Sequence, residues 1–358
     1  PTHLEGPGPS AAVLSLAATH GLPVKVAVAE PLGLDHLTIV DRPEPRPGAG
    51  EVLVRLRAAS LNYRDLIAID GGYGSQQKRG DLVPLSDGAG EIVEVGAAVT
   101  RWRVGDRVVG CFFARWDSGP PNEQRLAATL GGSIDGVACE YRVFGENAIL
   151  PIPAHLDFVQ AATLPCAALT AWVAVIEQNA IGPSNSVLTQ GTGGVALFAV
   201  QFATTAGAAV IATSSMADKL ERLRGLGARH LINYRDDPNW GQTAYKLAGE
   251  GVDLVVDTGG AQTLSQSFRA VRVGGSVSVI GVVSGAKHAL HVPILIAKYI
   301  RLQPVIVGNR DQFAAMLRAI DRHGLRPVID RVFPFADLRA ALDYLKSGRH
   351  VGKVCIEI

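Results

Sequence analysis

One stretch near the middle of the chain, 187–219, constrains the fold more than any other part of the sequence. A short apolar run at Val187-Leu188 predicts a buried strand, and GTGGVA at 191–196 follows closely. The apolar pattern at 195–206 predicts a helix, and 208–212 predicts a second strand. This order is the context that a G-x-G-x-x-A turn needs to receive a dinucleotide. The sequence therefore predicts a dinucleotide site, with a merely tight turn between strand and helix as the alternative.

The turn has a separate task for each small residue. The first glycine allows a tight bend, the next ones allow the backbone to approach a pyrophosphate at the helix N-terminus, and Ala196 allows helix and sheet to pack. We therefore expect the cofactor contacts here to come from Gly191, Gly193, Gly194 and Val195.

The end of the second strand indicates which dinucleotide is bound. An NAD site places an acidic residue about 20 positions past the first glycine, where it holds the ribose 2′-hydroxyl. This chain has Thr213, Ser214 and Ser215 there, and Lys219 one turn later. Hydroxyl groups and an ammonium can hold a 2′-phosphate, which a carboxylate would repel. We therefore expect NADPH; the alternative is that the two serines only cap the helix predicted at 216–226.

Length and composition limit the class of protein. The 358 residues favour two domains, and a formal net charge of +1 gives no reason to expect a nucleic-acid or anionic-membrane partner. The four cysteines form no C-x-x-C pair, which fits a reducing compartment. The first 24 residues contain no Lys or Arg, and the apolar stretch 11–18 is too short to span a bilayer. We expect a cytoplasmic protein.

The pattern along the chain divides it into four parts. Residues 1–23 are expected to form an extension, and 24–156 a β-rich domain with short strands at 24–29, 37–41, 51–59, 90–96 and 106–113. Residues 157–308 alternate between strands and helices, with strands at 187–190, 208–213, 230–233, 252–257, 276–281 and 304–307. Six such strands predict an α/β doubly wound parallel sheet. Residues 309–358 do not extend that series, so we expect them to return to the first domain.

Several stretches together resemble the medium-chain dehydrogenase/reductase superfamily from about residue 24 to residue 358. They are GAGEVLVRLRAASLNYRDL, PLSDGAGEIVEVG, VGDRVVG, AATLPCAALTAW, VLTQGTGGVALFAVQFA and HVGKVCIEI. The resemblance implies a GroES-like catalytic domain, a Rossmann coenzyme domain and an active site in the cleft between them. It also implies a homodimer formed through the edge strand near 304–307.

The residues at the zinc positions of the related alcohol dehydrogenases differ in this chain. By the resemblance, those enzymes hold zinc with Cys, His and Cys, where this chain has Asn62, Ser86 and Cys166, with Asp87 replacing a nearby Glu. A catalytic zinc needs three protein ligands, and amide and hydroxyl oxygens are poor ones. We therefore expect no metal, and the chain is most similar to the zinc-independent, quinone-oxidoreductase-like branch, some of whose members are named alcohol dehydrogenases.

The candidate catalytic residues follow from the same resemblance. Tyr73 matches a tyrosine that acts near the substrate in similar enoyl reductases, so it is our candidate acid; the alternative is an aromatic plug between the domains. Asn62, at a former ligand position, is expected to face the cleft and to bind either the nicotinamide ribose or the substrate oxygen. Tyr63 and Arg64 flank it and are candidate second donors.

Further cofactor contacts are expected along the cleft. The resemblance implies contacts from Thr170 and Lys353, and it places Tyr234 with Lys219 over the 2′-phosphate. Residues that end strands on the ligand side of the sheet are expected to present backbone groups to the ribose and carboxamide. They are Asp257, Gly281, Val282, Gly308 and Asn309.

The resemblance implies an NADPH-dependent reductase of activated alkenes such as enones, enals, quinones or enoyl esters, with a small molecule as its substrate. Metal-free alcohol or carbonyl oxidoreduction would use the same residues, because an alkoxide oxygen also needs a donor. A non-catalytic NADPH-binding protein is the alternative from another class.

Overall fold

A computed structural model describes residues 23–358, so nearly all of the extension expected at 1–23 lies outside the described residues. The first part of the chain is rich in β-strands. They are β1 (Pro23–Ala29), β2 (Leu37–Pro43), β3 (Glu51–Ser60), β4 (Asp87–Val95), β5 (Arg107–Gly110), β6 (Tyr141–Gly145) and β7 (Ile149–Pro151). The predicted strand at 106–113 is shorter in the structure, and the one at 90–96 begins three residues earlier. Strands β1 and β2 pair antiparallel with each other as a separate two-stranded sheet. Strand β3 is the centre of the larger first sheet, because it pairs antiparallel with both β4 and β6.

The second part of the chain forms the parallel sheet that the alternating pattern predicts. Its strands are β8 (Ser186–Gln190), β9 (Ala209–Ser214), β10 (His230–Asn233), β11 (Val252–Asp257), β12 (Val271–Val279) and β13 (Arg301–Pro304). They lie in the order β10-β9-β8-β11-β12-β13, and every neighbouring pair is parallel. This is the strand order of a dinucleotide-binding sheet, with the ligand side at the carboxyl ends.

The prediction for the last of these strands was wrong by three residues. The sequence predicts 304–307, whereas β13 ends at Pro304. Proline has no N–H for the ladder, and Val307 has a φ of 55°, so the chain turns away from the sheet after Pro304.

The last strands return to the first sheet. Strand β15 (Lys353–Glu357) pairs antiparallel with β3, and β14 (Ile329–Pro334) pairs parallel with β15. The end of the described chain therefore lies directly beside β3, whose last residue Ser60 precedes the candidate catalytic stretch.

The helices pack around the two larger sheets. They are α1 (Tyr63–Ile69), α2 (Glu123–Leu126), α3 (Phe158–Ala162), α4 (Leu169–Trp172), α5 (Gly194–Thr205), α6 (Ala217–Gly225), α7 (Trp240–Leu247), α8 (Leu264–Ala270), α9 (Val292–Ala297), α10 (Arg310–His323) and α11 (Leu338–Lys346). Wider π-helical turns at Leu164–Ala168 and Val173–Glu177 flank α4. Within residues 23–358, no helix is both long and apolar enough to cross a membrane.

Candidate active site

The glycine turn after β8 lies against the start of β15. The Gly352 N–H donates to the Thr192 carbonyl at 2.8 Å, and Gly193 forms a β-bridge with Gly352. A Cβ placed on Gly194 would lie 2.6 Å from Cδ of Lys353. Two segments far apart in sequence therefore meet at the turn where the dinucleotide is expected.

A hydrogen-bonded group on α1 positions Tyr73. The guanidinium of Arg64 donates through Nε to the Tyr73 hydroxyl oxygen at 2.7 Å, and through Nη1 to Asp65 Oδ1 at 3.0 Å and to the Leu130 carbonyl at 2.9 Å. Asp65 in turn accepts from the Asn62 backbone N–H at 2.7 Å, which holds the start of α1. The tyrosine oxygen accepts from arginine, so its own O–H proton remains available to another partner.

Burial changes the proton affinities of this group. Asp65 is fully buried, and this burial raises its pKa to about 6 although Arg64 opposes the rise. Burial also raises the pKa of the Tyr73 hydroxyl, again against Arg64. Tyr73 therefore keeps its proton at neutral pH, as an acid must before it donates.

A second buried group surrounds the ammonium of Lys353. Its Nζ donates to the Leu61 carbonyl at 2.7 Å and to Asn62 Oδ1 at 2.5 Å. Nearby, Asp87 accepts from the Ser86 hydroxyl at 2.6 Å and from the Cys166 backbone N–H at 3.2 Å. Burial raises the pKa of Asp87, and the charge of Lys353 opposes that rise. The positions that the sequence compares with zinc ligands thus lie around a lysine side chain.

These residues do not suit a zinc ion. The Asn62 oxygen already accepts from an ammonium, whose positive charge would repel a dication. Cys166 supplies one thiol, and neither Asn62 nor Ser86 offers the sulfur or imidazole donor that zinc prefers. Within 23–358, no group of three or more His, Cys, Asp or Glu side chains could hold a metal ion.

The glycine turn suits a dinucleotide. Gly191 has a φ of 77°, which favours glycine, and a Cβ on Gly191 or Gly193 would meet no atom within 4 Å. Gly193 is the N-cap of α5 and makes no side-chain cap, so the amide groups of the first helical turn have no capping partner there. Val195 follows in that turn and is partly buried. Space and free donors at one place are what a pyrophosphate needs.

The residues expected at the 2′-phosphate lie close together, with one unexpected contact. Tyr234 is 41% exposed, and its N–H donates to the Ser214 carbonyl at 3.1 Å. Thr213 is buried beside Ser214, and Ser215 is partly exposed. Lys219 Nζ donates to the carbonyls of Gly348 and His350, at 3.1 and 3.2 Å. Two of its three N–H groups are therefore used by the turn that precedes β15.

Several other residues expected to contact the cofactor already use their side chains in hydrogen bonds within the protein. The buried carboxylate of Asp257 accepts hydrogen bonds from Gly260 N, Thr263 Oγ1 and Ser267 Oγ. Asn309 caps α10 by accepting from Gln312 N at 2.9 Å. Thr170 donates to the Cys166 carbonyl at 2.7 Å. What Asp257 and Asn309 can still offer a cofactor is chiefly their backbone.

The remaining candidates lie at the edges of the cleft. A Cβ on Gly281 would lie 2.0 Å from the Thr258 carbonyl, and one on Gly308 would lie 2.9 Å from Val173, so close packing requires both glycines. Val282 and Tyr63 are each 44% exposed. Because Tyr63 is exposed, it lies outside the buried hydrogen bonds that its neighbours Asn62 and Arg64 make.

Sequence reasoning missed the contact between Lys353 and Asn62 and the contact between Lys219 and the turn 347–352. The only signal for the first was the basic residue that opens the last predicted strand, which we interpreted as a cofactor contact. Nothing in the local pattern pairs it with Asn62, because the two residues are 291 positions apart.

Comparison with known proteins gives consistent matches. One family model, described as an alcohol dehydrogenase GroES-like domain, matches 48–154, and another, described as a zinc-binding dehydrogenase, matches 194–322. A zinc-type alcohol dehydrogenase-like protein of Schizosaccharomyces pombe is 41% identical over 316 residues, which cover 86% of this chain and 91% of that protein. The acryloyl-coenzyme A reductase of Metallosphaera sedula is 25% identical, over 87% of this chain and 94% of that enzyme.

A solved structure agrees with these matches. A Sinorhizobium meliloti 1021 protein assigned as an alcohol dehydrogenase has a TM-score of 0.88 and 40% identity, covering 94% of this chain and 99% of its own. Other relatives and solved structures include both NAD-dependent members and one in complex with NADP.

Proposed function

Since this chain belongs to the medium-chain dehydrogenase/reductase superfamily, in its zinc-type alcohol dehydrogenase-like branch, we propose that it is an NADPH-dependent reductase of activated alkenes that needs no metal ion. The family consists of oxidoreductases that use a nicotinamide cofactor. Beyond this family assignment, we propose that the cofactor is NADPH, that the acceptor is an alkene and that the reaction needs no metal ion.

The reaction sets two demands on the protein. The nicotinamide, when bound, supplies the hydride. In the reduction of an activated alkene, negative charge grows on the carbonyl oxygen and the α-carbon needs a proton. Asn62 offers its amide N–H groups for the oxygen, and the Tyr73 hydroxyl offers its proton for the carbon. Arg64 holds the tyrosine oxygen and stabilises the charge that proton loss leaves on it.

The site offers two separate donors, the Tyr73 hydroxyl and the Asn62 amide, and this pair favours alkene reduction. Tyr73 accepts from Arg64 and keeps its own proton, while the buried Asn62 Nδ2 directs one N–H to the Asp87 carboxyl and has no partner of good geometry for the other among the described residues. A carbonyl reductase needs only one proton donor, at the oxygen, whereas an alkene reductase uses one donor at oxygen and one at carbon. The similarity to an acryloyl-coenzyme A reductase supports the same choice.

The proposal for NADPH rests on the end of β9. The backbones of Ser214 and Tyr234 are joined by a hydrogen bond, which brings the ends of β9 and β10 together, and the sequence has no acidic residue at 213–215. Lys219 has one N–H that its two contacts with carbonyls leave free. A 2′-phosphate would accept from that N–H without displacing either contact.

The proposed function is tested by following NADPH absorbance with a panel of enones, enals, quinones, enoyl thioesters and saturated aldehydes. We expect oxidation of NADPH with the unsaturated compounds. The enones, enals and enoyl thioesters should give saturated products that keep the carbonyl group, and a quinone should give its hydroquinone. Reduction of saturated aldehydes alone, to alcohols, would favour the carbonyl oxidoreductase. Tight binding of NADPH without any turnover would favour a non-catalytic protein.

The same assay tests the absence of a metal requirement. Purified protein dialysed against a chelator is expected to keep its activity, and elemental analysis is expected to find far less than one zinc per chain. Activity that is lost on dialysis and restored by zinc would contradict the proposal for a metal-free site.

The variant Lys219→Met is expected to weaken NADPH binding by about 10–100-fold and NADH binding by less than about threefold. A hydrogen bond to a charged group contributes about 1.5–3 kcal/mol, and only NADPH carries the 2′-phosphate. Dissociation constants from cofactor fluorescence measure the effect, with the exposed Lys246→Met as control. Equal losses for both cofactors would instead assign Lys219 to holding the turn 347–352.

We also propose a homodimer through the free edge of β13. Within the described residues, β13 is the last strand of its sheet, and apolar side chains near it are exposed. The exposed fractions of Ile296, Tyr299 and Ile306 are 73%, 79% and 54%. An unpaired edge beside an apolar surface is a suitable contact for a second copy. The four cysteines are unpaired thiols, which supports a reducing compartment.

A further inference from the structure

The contact between Lys353 and Asn62 fixes which way the asparagine amide points. A lysine ammonium can only donate hydrogen bonds, so the amide must turn its oxygen toward Nζ. The amide nitrogen is then directed away from the lysine. Asn62 is only 8% exposed, and its amide faces the buried Asp87 carboxyl, whose pKa it lowers. One of the two N–H groups of Nδ2 is directed to that carboxyl, and within 23–358 the other has no partner of good geometry. A buried N–H group without a partner is unfavourable, so this N–H points to a ligand that completes it.

Lys353 is itself held on several sides. Its ammonium donates to the Leu61 carbonyl at 2.7 Å, and its charge acts on buried Asp87. Its aliphatic stem lies against Gly194 at the start of α5. The side chain is 3% exposed, so the ammonium has little freedom to move. One lysine thus connects the glycine turn with the start of the catalytic helix α1.

We propose that Lys353 is a positioning residue, which holds the Asn62 amide so that Nδ2 donates to the carbonyl oxygen of the substrate. This inference rests on the proposed function, because it specifies one donor of that site. The Lys353 ammonium lies near Asn62 and Cys166, two of the positions that hold zinc in the related alcohol dehydrogenases. Its role there is to orient the neutral Asn62 amide. It does not contact the substrate itself.

Single and double variants test whether Lys353 acts through Asn62. Asn62→Ala is expected to lower kcat by about 10²–10³-fold, the usual effect of removing one donor to a developing oxyanion. Lys353→Met keeps the stem but loses the donor, and we expect kcat to fall by at least about tenfold. In the double variant kcat should equal that of Asn62→Ala within about threefold, since residues that act as a unit are not additive. Lys346→Met, an exposed lysine of α11, is the control.

Two results of these assays would overturn the proposal. In the first, the two losses multiply in the double variant, which would mean that Lys353 acts independently of Asn62. In the second, Lys353→Met weakens cofactor binding tenfold or more with kcat unchanged, which would make Lys353 a cofactor contact. If Lys353→Met does not fold, Lys353→Met combined with Asp87→Asn removes the uncompensated buried charge and serves in its place.

A measurement without substrate separates this inference from the proposed function. Protein labelled with ¹⁵N at its asparagines shows side-chain amide signals, and the Asn62 pair is the one absent from Asn62→Ala. We expect Lys353→Met to shift that pair and Lys346→Met to leave it in place. An unshifted pair in Lys353→Met would overturn the inference. A wild-type protein that reduces none of the test compounds would contradict the proposed function while this measurement still tests the orientation.

Discussion

Replacing Tyr73 by phenylalanine is expected to slow turnover by about 10²–10⁴-fold, the range of general acid catalysis. The change removes only the hydroxyl, whose oxygen accepts from Arg64 Nε at 2.7 Å. The aromatic ring would remain, with its centroid 4.7 Å from the Arg64 guanidinium carbon. We therefore expect the loss in kcat, with the dissociation constant of the cofactor little changed. Single-turnover and steady-state rates measure it.

A matched substitution distinguishes catalysis from packing. Tyr141→Phe removes a hydroxyl from β6, in the first sheet and outside the group around Arg64, and it is expected to leave kcat unchanged. A change in kcat smaller than about threefold in Tyr73→Phe would return Tyr73 to the alternative role of an aromatic plug between the domains. The pH profile gives a second check: because burial raises the pKa of Tyr73, its deprotonation should not reduce activity between pH 7 and about 9.

Gly193→Ala is expected to weaken cofactor binding by about 100-fold or more, which is about 2.7 kcal/mol, while the apoprotein stays folded. The backbone of Gly193 has φ −75° and ψ 172°, which alanine adopts without strain. The added Cβ would meet no protein atom within 4 Å, so any penalty must come from the ligand. Calorimetric titration measures the affinity, and thermal unfolding of the apoprotein measures stability.

The control for this variant is Gly182→Ala. A Cβ there also meets no atom within 4 Å, and the residue lies before β8, at the end of the strand opposite the glycine turn. We expect it to change neither affinity nor unfolding. If Gly193→Ala binds the cofactor as tightly as the wild type does, the pyrophosphate does not lie at this turn.

The fold was predictable where local patterns determine it. The run from β8 through GTGG to α5 and β9 carries its own signals: apolar strands, glycines at the bend and an apolar helix face. The prediction is wrong at β13: the pattern predicts that Pro304 starts the strand, whereas Pro304 ends it. It also could not foresee the π-helical turns around α4, because no short-range pattern distinguishes a π-helical turn from an ordinary helical one.

The candidate site was less predictable because its contacts are long-range. Arg64 and Tyr73 are near in sequence and could be grouped, whereas Arg64 also donates to the Leu130 carbonyl, 66 positions away. The buried ammonium of Lys353 and the carbonyl contacts of Lys219 depend on how β15 docks beside β3. Side chains with long, flexible stems reach partners that only the tertiary fold brings near.

The docking of β15 has a consequence for how the protein is made. Thr192 and Gly352 are joined by a hydrogen bond yet lie 352 − 192 = 160 positions apart. At about 5–20 residues per second, a ribosome adds the second roughly 8–32 seconds after the first. During that interval the edge of β3 that later receives β15 has no partner, and an open edge invites pairing with another chain. The glycine turn gains its contact with Gly352, and residues 58–60 of β3 gain their partner, only after β15 has been synthesised.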